Sequence, residues 1–160
     1  MARITPDGYT KIHFLTTVAA PAAVTVAELA AGDELTPFLT PAGLDTPEDG
    51  TDADSSSIAS PRDFSVPATI GGDITGEFYR DDTDDDAWDA LPRLTEGWLV
   101  IARFGGTTAG TYALQATDTA ELWTVRVSQR SNSRITRGEA LRFTSTFAVS
   151  ADTIETTITA

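Results

Sequence analysis

The sequence contains no cysteine and only one histidine, His13, among its 160 residues. Without cysteine the chain can form neither a disulfide-stapled scaffold nor a thiolate metal site. A hydrolytic triad could use only His13, but this residue falls in a predicted strand, and the sequence holds no G-x-S-x-G nucleophile elbow. We therefore expect no catalytic residue and no cofactor, and an enzyme is the least expected class of protein.

Long apolar runs are absent as well. No stretch approaches the roughly 20 residues that span a bilayer, so we expect no membrane association. The first residues, MARITPDGYTK, lack the apolar segment of a signal peptide. Phosphate-binding loops are also missing, because no G-x-x-x-x-G-K-[ST] pattern occurs and no predicted helix follows the glycines of GGDITG.

Basic side chains are scarce relative to acidic ones. The chain has 11 Lys and Arg against 24 Asp and Glu, which gives a formal net charge of −13. The excess lies in residues 1–90, with 4 basic and 18 acidic groups, whereas residues 91–160 hold 7 and 6. Attraction to a nucleic-acid backbone needs clustered Lys and Arg, so this chain should repel DNA.

The aspartate runs invite comparison with a calcium-binding loop. Counting from Asp82, Asp84 and Asp86 occupy EF-hand positions 3 and 5, but Ala87 stands where glycine is required and Arg93 where a bidentate glutamate is required. A loop counted from Asp52 fails in the same way. Two interpretations stay open for residues 81–86: a solvated acidic cap of a helix, which is the simpler one, and a looser calcium site.

What the sequence does contain favours a single all-β domain over residues 1–160 with one short helix. Threonine occurs 26 times, and 12 glycines and 8 prolines punctuate the chain. Alternation of apolar and polar residues predicts about eight short strands, the clearest over residues 11–18, 64–80, 98–104, 112–116, 122–128, 141–149 and 153–159. Residues 24–29 could form a strand or a helical turn, and 131–133 are predicted to be a hairpin tip. Helical spacing over 84–91 predicts a short helix that docks Trp88 and Leu91 on the sheet.

Three segments are candidates for contacts beyond the domain core: two terminal arms and one long internal segment. Residues 1–9 and 150–160 are predicted to be terminal arms, the latter with a last strand. Residues 40–62 are rich in Pro, Gly, Asp, Ser and Thr, with Leu44 and Ile58 as the large apolar side chains. A structureless segment of this length is uncommon inside a compact domain, so it is either a surface loop or a segment that a partner orders.

Charged residues are concentrated at two further places. Asp73 and Glu77 fall on the polar face of the strand predicted over 64–80, opposite Ile74 and Phe78. An arginine group follows in the second half of the chain, and it forms either a solvated hairpin or a surface that binds acidic partners: Arg126, Arg130, Arg134, Arg137 and Arg142.

The order of these features resembles that of the major tail proteins (tail tube proteins) of long-tailed bacteriophages. The resemblance rests on the succession VAELAAGDELTPFLT, a long polar loop, PRDFSVPATIGGDITGEFYRDD, DDDAWDAL, GWLVIARFGG and the arginine-rich RVSQRSNSRITRGEALRFTSTFAVS. It spans nearly the whole chain and is most specific over residues 63–106.

This resemblance implies a structural virion protein. Its fold would be a β-sandwich with one flanking helix, and its inner sheet would join a ring-wide β-barrel in hexameric rings. The rings would stack into the tail tube through which DNA passes without stable binding. The family also implies assembly in the host cytoplasm, location in the virion tail, and partners such as the tape measure, terminator and distal tail proteins.

Within that framework we assign roles to the charged residues. Asp73 and Glu77 are the candidate lumen residues, because a negative wall would keep DNA from adhering. The five arginines are expected to contact acids of a neighbouring copy, among them Asp82, Asp84 and Asp85. The 40–62 segment is expected to make contacts between rings through Leu44, Asp49, Asp52, Asp54 and Ile58. The alternatives are a capsid-decoration or carbohydrate-binding β-sandwich module and a tube protein of a contractile injection system.

Overall fold

The structure, a computed structural model, describes residues 9–46, 49–54, 65–82, 85–103 and 114–160. These residues form ten strands, two short α-helices and one 3-10 turn. The strands are β1 (Lys11–Leu15), β2 (Asp33–Glu34), β3 (Leu39–Asp45), β4 (Asp49–Asp54), β5 (Ser65–Gly71), β6 (Asp73–Tyr79), β7 (Glu96–Ala102), β8 (Thr119–Asn132), β9 (Arg142–Val149) and β10 (Ile154–Thr157). The helices are α1 (Val26–Ala31) and α2 (Asp86–Ala90), and the 3-10 turn covers Thr36–Phe38. The predicted all-β class is confirmed.

One antiparallel sheet contains eight of the strands, and seven of them follow the order β2-β1-β7-β8-β9-β6-β3. Strand β10 pairs with the beginning of β8, on the same edge along which β9 pairs further on. Strands β4 and β5 form a separate two-stranded ribbon. Because β4 follows β3 and β5 precedes β6, the ribbon extends the hairpin that β3 and β6 begin.

The main core shows that this sheet curls into a sandwich-like fold. Ile12 and Phe14 of β1 lie in the same buried cluster as Ile74 and Phe78 of β6, although three strands separate β1 from β6 in the sheet. The two halves of the sheet must therefore face each other. A register shift between Val127 and Gln129 interrupts the pairing of β8 with β9, and such a bulge increases local bending.

A second core lies on the reverse side of β1, β7 and the first part of β8. Leu15, Val100 and Leu122 contribute to it from the sheet, and Leu29 of α1 covers them. Helix α1 begins with a capping box in which Thr25 and Glu28 bond reciprocally to each other's backbone. This half of the sheet is thus buried on both faces.

Helix α2 closes the main core at the end of the sheet where β8 stops. Ala87 and Leu91, the residue after the helix, are buried, and the Trp88 ring meets the Phe143 ring edge-on with centroids 5.0 Å apart. Trp88 and Leu91 therefore pack against the main core. The helical spacing of the sequence predicted that these two residues dock on the sheet. In the part of the chain that the structure describes, no helix is long and apolar enough to cross a membrane.

The structure corrects four predictions about secondary structure. Residues 40–62, predicted to lack regular structure, hold most of β3 and all of β4, while 55–62 lie outside the described residues. Strand β8 runs through Asn132, so the tip predicted at 131–133 is wrong and the turn covers 133–141. Residues 114–116 are not in a strand, although 112–116 were predicted to form one. Residues 26–31 form a helix, which confirms the helical-turn alternative for 24–29 and corrects the number of short α-helices from one to two.

Candidate functional site

One face of the sheet is polar, and neither helix packs on it. It lies opposite the main core on β6, β9 and the second half of β8, where cross-strand pairs set polar residues side by side in rows. Thr75, Thr146 and Gln129 form one row, and Glu77, Thr144 and Ser131 form the next. We call this surface the open face, defined by Asp73, Thr75, Glu77, Gln129, Ser131, Thr144 and Thr146. The register also puts Arg126 and Arg142 on this face, where they lie beside Glu96 and Glu77.

The two predicted lumen acids differ in their surroundings on the open face. Asp73 is exposed and has no bonded partner among the described residues. Glu77 is half-buried, and its carboxylate accepts hydrogen bonds from the Thr40 hydroxyl at 3.0 Å and the Ser133 hydroxyl at 3.4 Å. The Arg142 guanidinium lies 3.5 Å from the same carboxylate. Glu77 therefore joins three segments of the chain, and Asp73 alone presents an uncompensated charge.

Two arginines enclose the indole ring of Trp88. The guanidinium carbon of Arg130 lies 3.7 Å from the ring centroid and that of Arg80 lies 4.0 Å from it. Arg130 also donates a hydrogen bond to the Trp88 carbonyl oxygen, and Arg80 donates from Nε to the Asp85 carboxylate at 2.9 Å. These contacts attach α2 to the ends of β6 and β8, so Arg130 and Asp85 have partners within the chain.

The other members of the arginine group divide into paired and unpaired residues. Arg126 is exposed and lies 3.8 Å from Glu96 across the β7–β8 ladder, and Arg142 contacts Glu139 at 3.2 Å in addition to Glu77. Arg134 and Arg137 are exposed and have no bonded partner within the described ranges. Contact of the group with another copy stays a prediction, and Arg134 and Arg137 are its best remaining candidates.

The turn that carries Arg134 and Arg137 has a defined conformation. The Ser133 amide donates to the Arg142 carbonyl at 2.9 Å and closes the base of the turn. The Glu139 amide donates to the Thr136 carbonyl at 3.3 Å, next to Gly138, whose φ of 85° lies in the left-handed region that favours glycine. On this framework Ile135 is 79% exposed and Leu141 53%. We call residues 133–141 the basic turn.

A groove lies at the opposite end of the sheet, beside the start of β8 and along β10. It has a volume of about 490 Å³, with Ile101 and Ala120 among its lining residues and with Arg103, Glu121 and Glu155 as its charged ones. Arg103 holds the Glu121 carboxylate in two hydrogen bonds of 2.6 and 2.9 Å, and this contact raises the Arg103 pKa. We call this surface the end groove.

Sequence reasoning missed the end groove and the Arg80 contact. Arg80 and Arg103 stand alone in the sequence, 23 positions apart, and neither belongs to the arginine group of the second half. Their partners could not be read locally because Glu121 follows Arg103 by 18 positions and comes from another strand. A bidentate arginine–carboxylate pair needs that strand pairing before it can form.

The structure describes some, but not all, of the other residues that the sequence analysis assigned to contacts between copies. Leu44 packs against the main core, and a Cβ at Gly76 would lie 2.8 Å from its side chain. Asp49, Asp52 and Asp54 belong to β4, whereas Ile58 and Asp84 lie outside the described residues. Asp82 is exposed near the start of α2. Within the residues that the structure describes, no group of His, Asp and Glu could hold a metal ion.

His13 is buried under α1, away from both surfaces. Burial is the main cause that lowers its pKa, and its Nδ1 atom has no hydrogen-bond partner. Its neighbours include Glu34, which pairs with Lys11. Among the described residues, no hydroxyl group is bonded to the imidazole as a nucleophile would be. His13 is therefore a packed residue of the core.

The whole chain matches a known family of proteins. A family model described as "phage tail tube protein" matches residues 1–160. Among solved structures, a chain from the "Cryo-EM structure of the anti-feeding prophage (AFP) baseplate, 6-fold symmetrised" aligns over 97% of this chain and 97% of its own length, with a TM-score of 0.56. The sequence identity is 11%, so this likeness shows a shared fold. A comparison with curated proteins finds no match.

Proposed function

The chain belongs to the phage tail tube protein family, and on that premise we propose that it forms hexameric rings that stack into the conduit for DNA ejection. Membership supports a structural component of a tail, and we propose no enzymatic role. The six-fold symmetrised baseplate that holds a similarly folded chain supports six copies in a ring. Assembly in the host cytoplasm with tape measure, terminator and distal tail proteins belongs to the same proposal.

The open face is the observation that carries this proposal. A sheet buried on one side by the main core leaves a row-by-row array of hydroxyl and amide groups on the other side. Such a surface binds DNA weakly, because its arginines, Arg126 and Arg142, each lie beside a glutamate and so release few counterions from the phosphates when DNA touches it. The single uncompensated charge, Asp73, is negative and adds repulsion. In the ring, this face would line the channel.

The edges of the sheet support closure between copies. Among the described strands, β2 and β3 end the sheet, and the outer edge of each has no strand partner. A free strand edge is prone to unwanted pairing, and closing sheets into a barrel removes it. We propose that edge pairing between neighbouring copies joins the open faces into one ring-wide barrel.

Electron microscopy of the purified full-length chain tests this proposal. Negative-stain images should show hollow rings or tubes, and native mass spectrometry of the smallest closed species should give six copies. A protein that stays monomeric over a wide concentration range would contradict ring formation. Monomers that bind oligosaccharides would instead support the decoration or carbohydrate-binding alternative.

A tube protein of a contractile injection system is the second candidate, and the likeness to the anti-feeding prophage baseplate chain favours it. Both candidates share the tube, so the discriminating measurement is the DNA content of the native particle. Nuclease-protected DNA in particles that contain this chain would support the phage tail. Particles with the same tube and no DNA would support the injection system.

A further inference from the structure

The basic turn has the features of an anchor without a partner. Ile135 and Leu141 are largely exposed although the turn around them is held by defined hydrogen bonds. Arg134 and Arg137 flank Ile135 with no bonded partner in the described part of the chain. An exposed apolar side chain on a preorganised support, next to free cations, is typical of residues that a protein interface buries.

The end groove has the opposite chemistry. Glu121 of β8 and Glu155 of β10 are paired directly opposite each other in the strand register. Like charges in this position repel, and Arg103 compensates Glu121 alone. Glu155 is exposed and lines the groove with Thr157, and Ile101, the cross-strand partner of Glu121, lies on the same face. A cation entering from outside would relieve the repulsion, and an apolar side chain beside it could reach the groove wall.

The two surfaces lie at opposite ends of one strand. Strand β8 begins at Thr119 beside the end groove and ends at Asn132, where the basic turn starts. Its 14 residues, at a rise of about 3.3 Å each, separate the two surfaces by roughly 45 Å. The basic turn and the end groove of one chain cannot meet. A contact between them therefore joins one end of a copy to the opposite end of the next copy.

We infer that the basic turn of one copy inserts into the end groove of a second copy in the adjacent ring. Ile135 is the apolar anchor, and Arg134 and Arg137 bring positive charge to Glu155 of the second copy, the groove carboxylate that Arg103 does not compensate. A head-to-tail contact of this kind does not close on itself, so repetition produces an open stack. The inference rests on the proposed function and adds to it the surfaces that join rings.

Charge reversal tests the contact. In the full-length chain, the double variant Arg134→Glu/Arg137→Glu should form rings of six that fail to stack, with mean tube length reduced at least about tenfold by electron microscopy. Glu155→Arg should act in the same way, and combining all three changes should restore stacking, because the charges are exchanged. Arg126→Glu, an exposed reversal on the open face and outside both the basic turn and the end groove, is the control and should leave tube length unchanged.

Disulfide trapping gives an independent test, and the absence of native cysteine makes it direct. A chain with Ile135→Cys and Thr157→Cys, assembled and then oxidised, should give a ladder of covalent oligomers on a denaturing gel. The control pair Ile135→Cys/Thr17→Cys places both thiols away from the end groove and should give no ladder. Both replaced residues are exposed in every variant, so folding should be retained, as circular dichroism would verify.

The outcomes separate this inference from the proposed function. If the unmodified chain forms no rings, the proposed function fails. If the unmodified chain forms tubes, and the double variant forms tubes of the same length or the oxidised cysteine pair gives no ladder, the inferred contact is wrong while the tube stands. Restored stacking in the charge-exchanged variant, together with a ladder, supports the contact.

Discussion

At the scale of single residues, the arginines show how the same side chain serves two purposes. The arginine group was predicted to contact another copy. The guanidinium of Arg130 instead stacks on the Trp88 ring and donates a hydrogen bond to the Trp88 carbonyl oxygen of the same chain. Arg80, outside that group, also stacks on the same ring. Arginine suits this position because its planar cation stacks on an aromatic face while its N–H groups still donate hydrogen bonds.

Replacing Arg130 by methionine should therefore destabilise the subunit. Arg130→Met keeps an unbranched apolar side chain of useful length but loses the cation over Trp88 and the hydrogen bond to its carbonyl. We expect the free energy of unfolding to fall by about 1–3 kcal/mol. Urea denaturation followed by circular dichroism, at a concentration that keeps the chain monomeric, measures the change.

Arg126→Met is the matched control for that measurement. Arg126 is exposed, and its contact with Glu96 is a surface ion pair at 3.8 Å, for which a loss of less than about 1 kcal/mol is expected. Equal losses in the two variants would show that the ring contact of Arg130 contributes no more stability than an ordinary surface charge.

At the scale of elements, helix α1 is short, and specific hydrogen bonds nevertheless fix where it begins. Its sequence T-V-A-E is a capping box, in which the Glu28 amide donates to the Thr25 hydroxyl at 3.1 Å. The Glu28 carboxylate in return accepts from the Ala19 and Thr25 amides, each at 2.8 Å. These bonds lower the Glu28 pKa and connect the helix to the chain that precedes it.

The substitution Thr25→Ala should loosen this helix. Losing the cap of a helix costs about 1 kcal/mol, and α1 is only 6 residues long, so little internal hydrogen bonding can compensate. Amide hydrogen exchange should become faster at Leu29 and Gly32, whose amides bond within this helical segment. Thr17→Ala, at an exposed position outside α1, should leave both the exchange rates and the unfolding free energy unchanged within about 0.5 kcal/mol.

Elements could be predicted from the sequence where one face is buried and the other is not. In β9, Phe143 and Phe147 are buried while Arg142 and Thr144 are not, which is the alternation that the sequence shows. The prediction failed in β3, where Pro41 and Gly43 break the local pattern. Strand β3 exists because it bonds to β6 and packs Leu44 over Gly76, contacts that come from a distant segment.

The candidate site was predictable to a similar extent. Alternation placed Asp73 and Glu77 on the polar face of β6, and both lie there. Their different roles could not be read, because Thr40, Ser133 and Arg142 reach Glu77 from three other parts of the chain. The basic turn was expected near 131–133 but lies later, since pairing with β9 extends β8 through Asn132.

At the scale of the whole molecule, the question is which charges are paired within the chain and which remain at the surface. Several cations are neutralised within the described residues, with Lys11 paired to Glu34, Arg80 to Asp85 and Arg103 to Glu121. With 24 acidic and 11 basic side chains, at least 13 carboxylates have no Lys or Arg of the same chain to pair with. Screening over about 8 Å at physiological salt confines the resulting field to the protein surface. For DNA inside a tube, the charges on the wall decide whether it slides or adheres.

Reversing the charge of the open face should therefore slow DNA exit. Asp73→Lys puts one cation from every copy at the proposed channel wall, where contact with DNA phosphates would release counterions and favour adhesion. Glu77 is unsuitable for this test, because its loss would also detach Ser133 and Arg142. Virions that carry Asp73→Lys should assemble tubes of normal length but eject DNA several-fold more slowly, with the difference shrinking as salt concentration rises.

The control for channel charge is Asp89→Lys, which makes the same change on the exposed side of α2, away from the open face. Net charge is then equal in the two variants, so a slower ejection seen only with Asp73→Lys assigns the effect to the wall of the channel. If both variants slow ejection alike, the total charge of the tube governs DNA exit. If neither does, Asp73 does not face the DNA, and the open face must be assigned to a contact between copies instead.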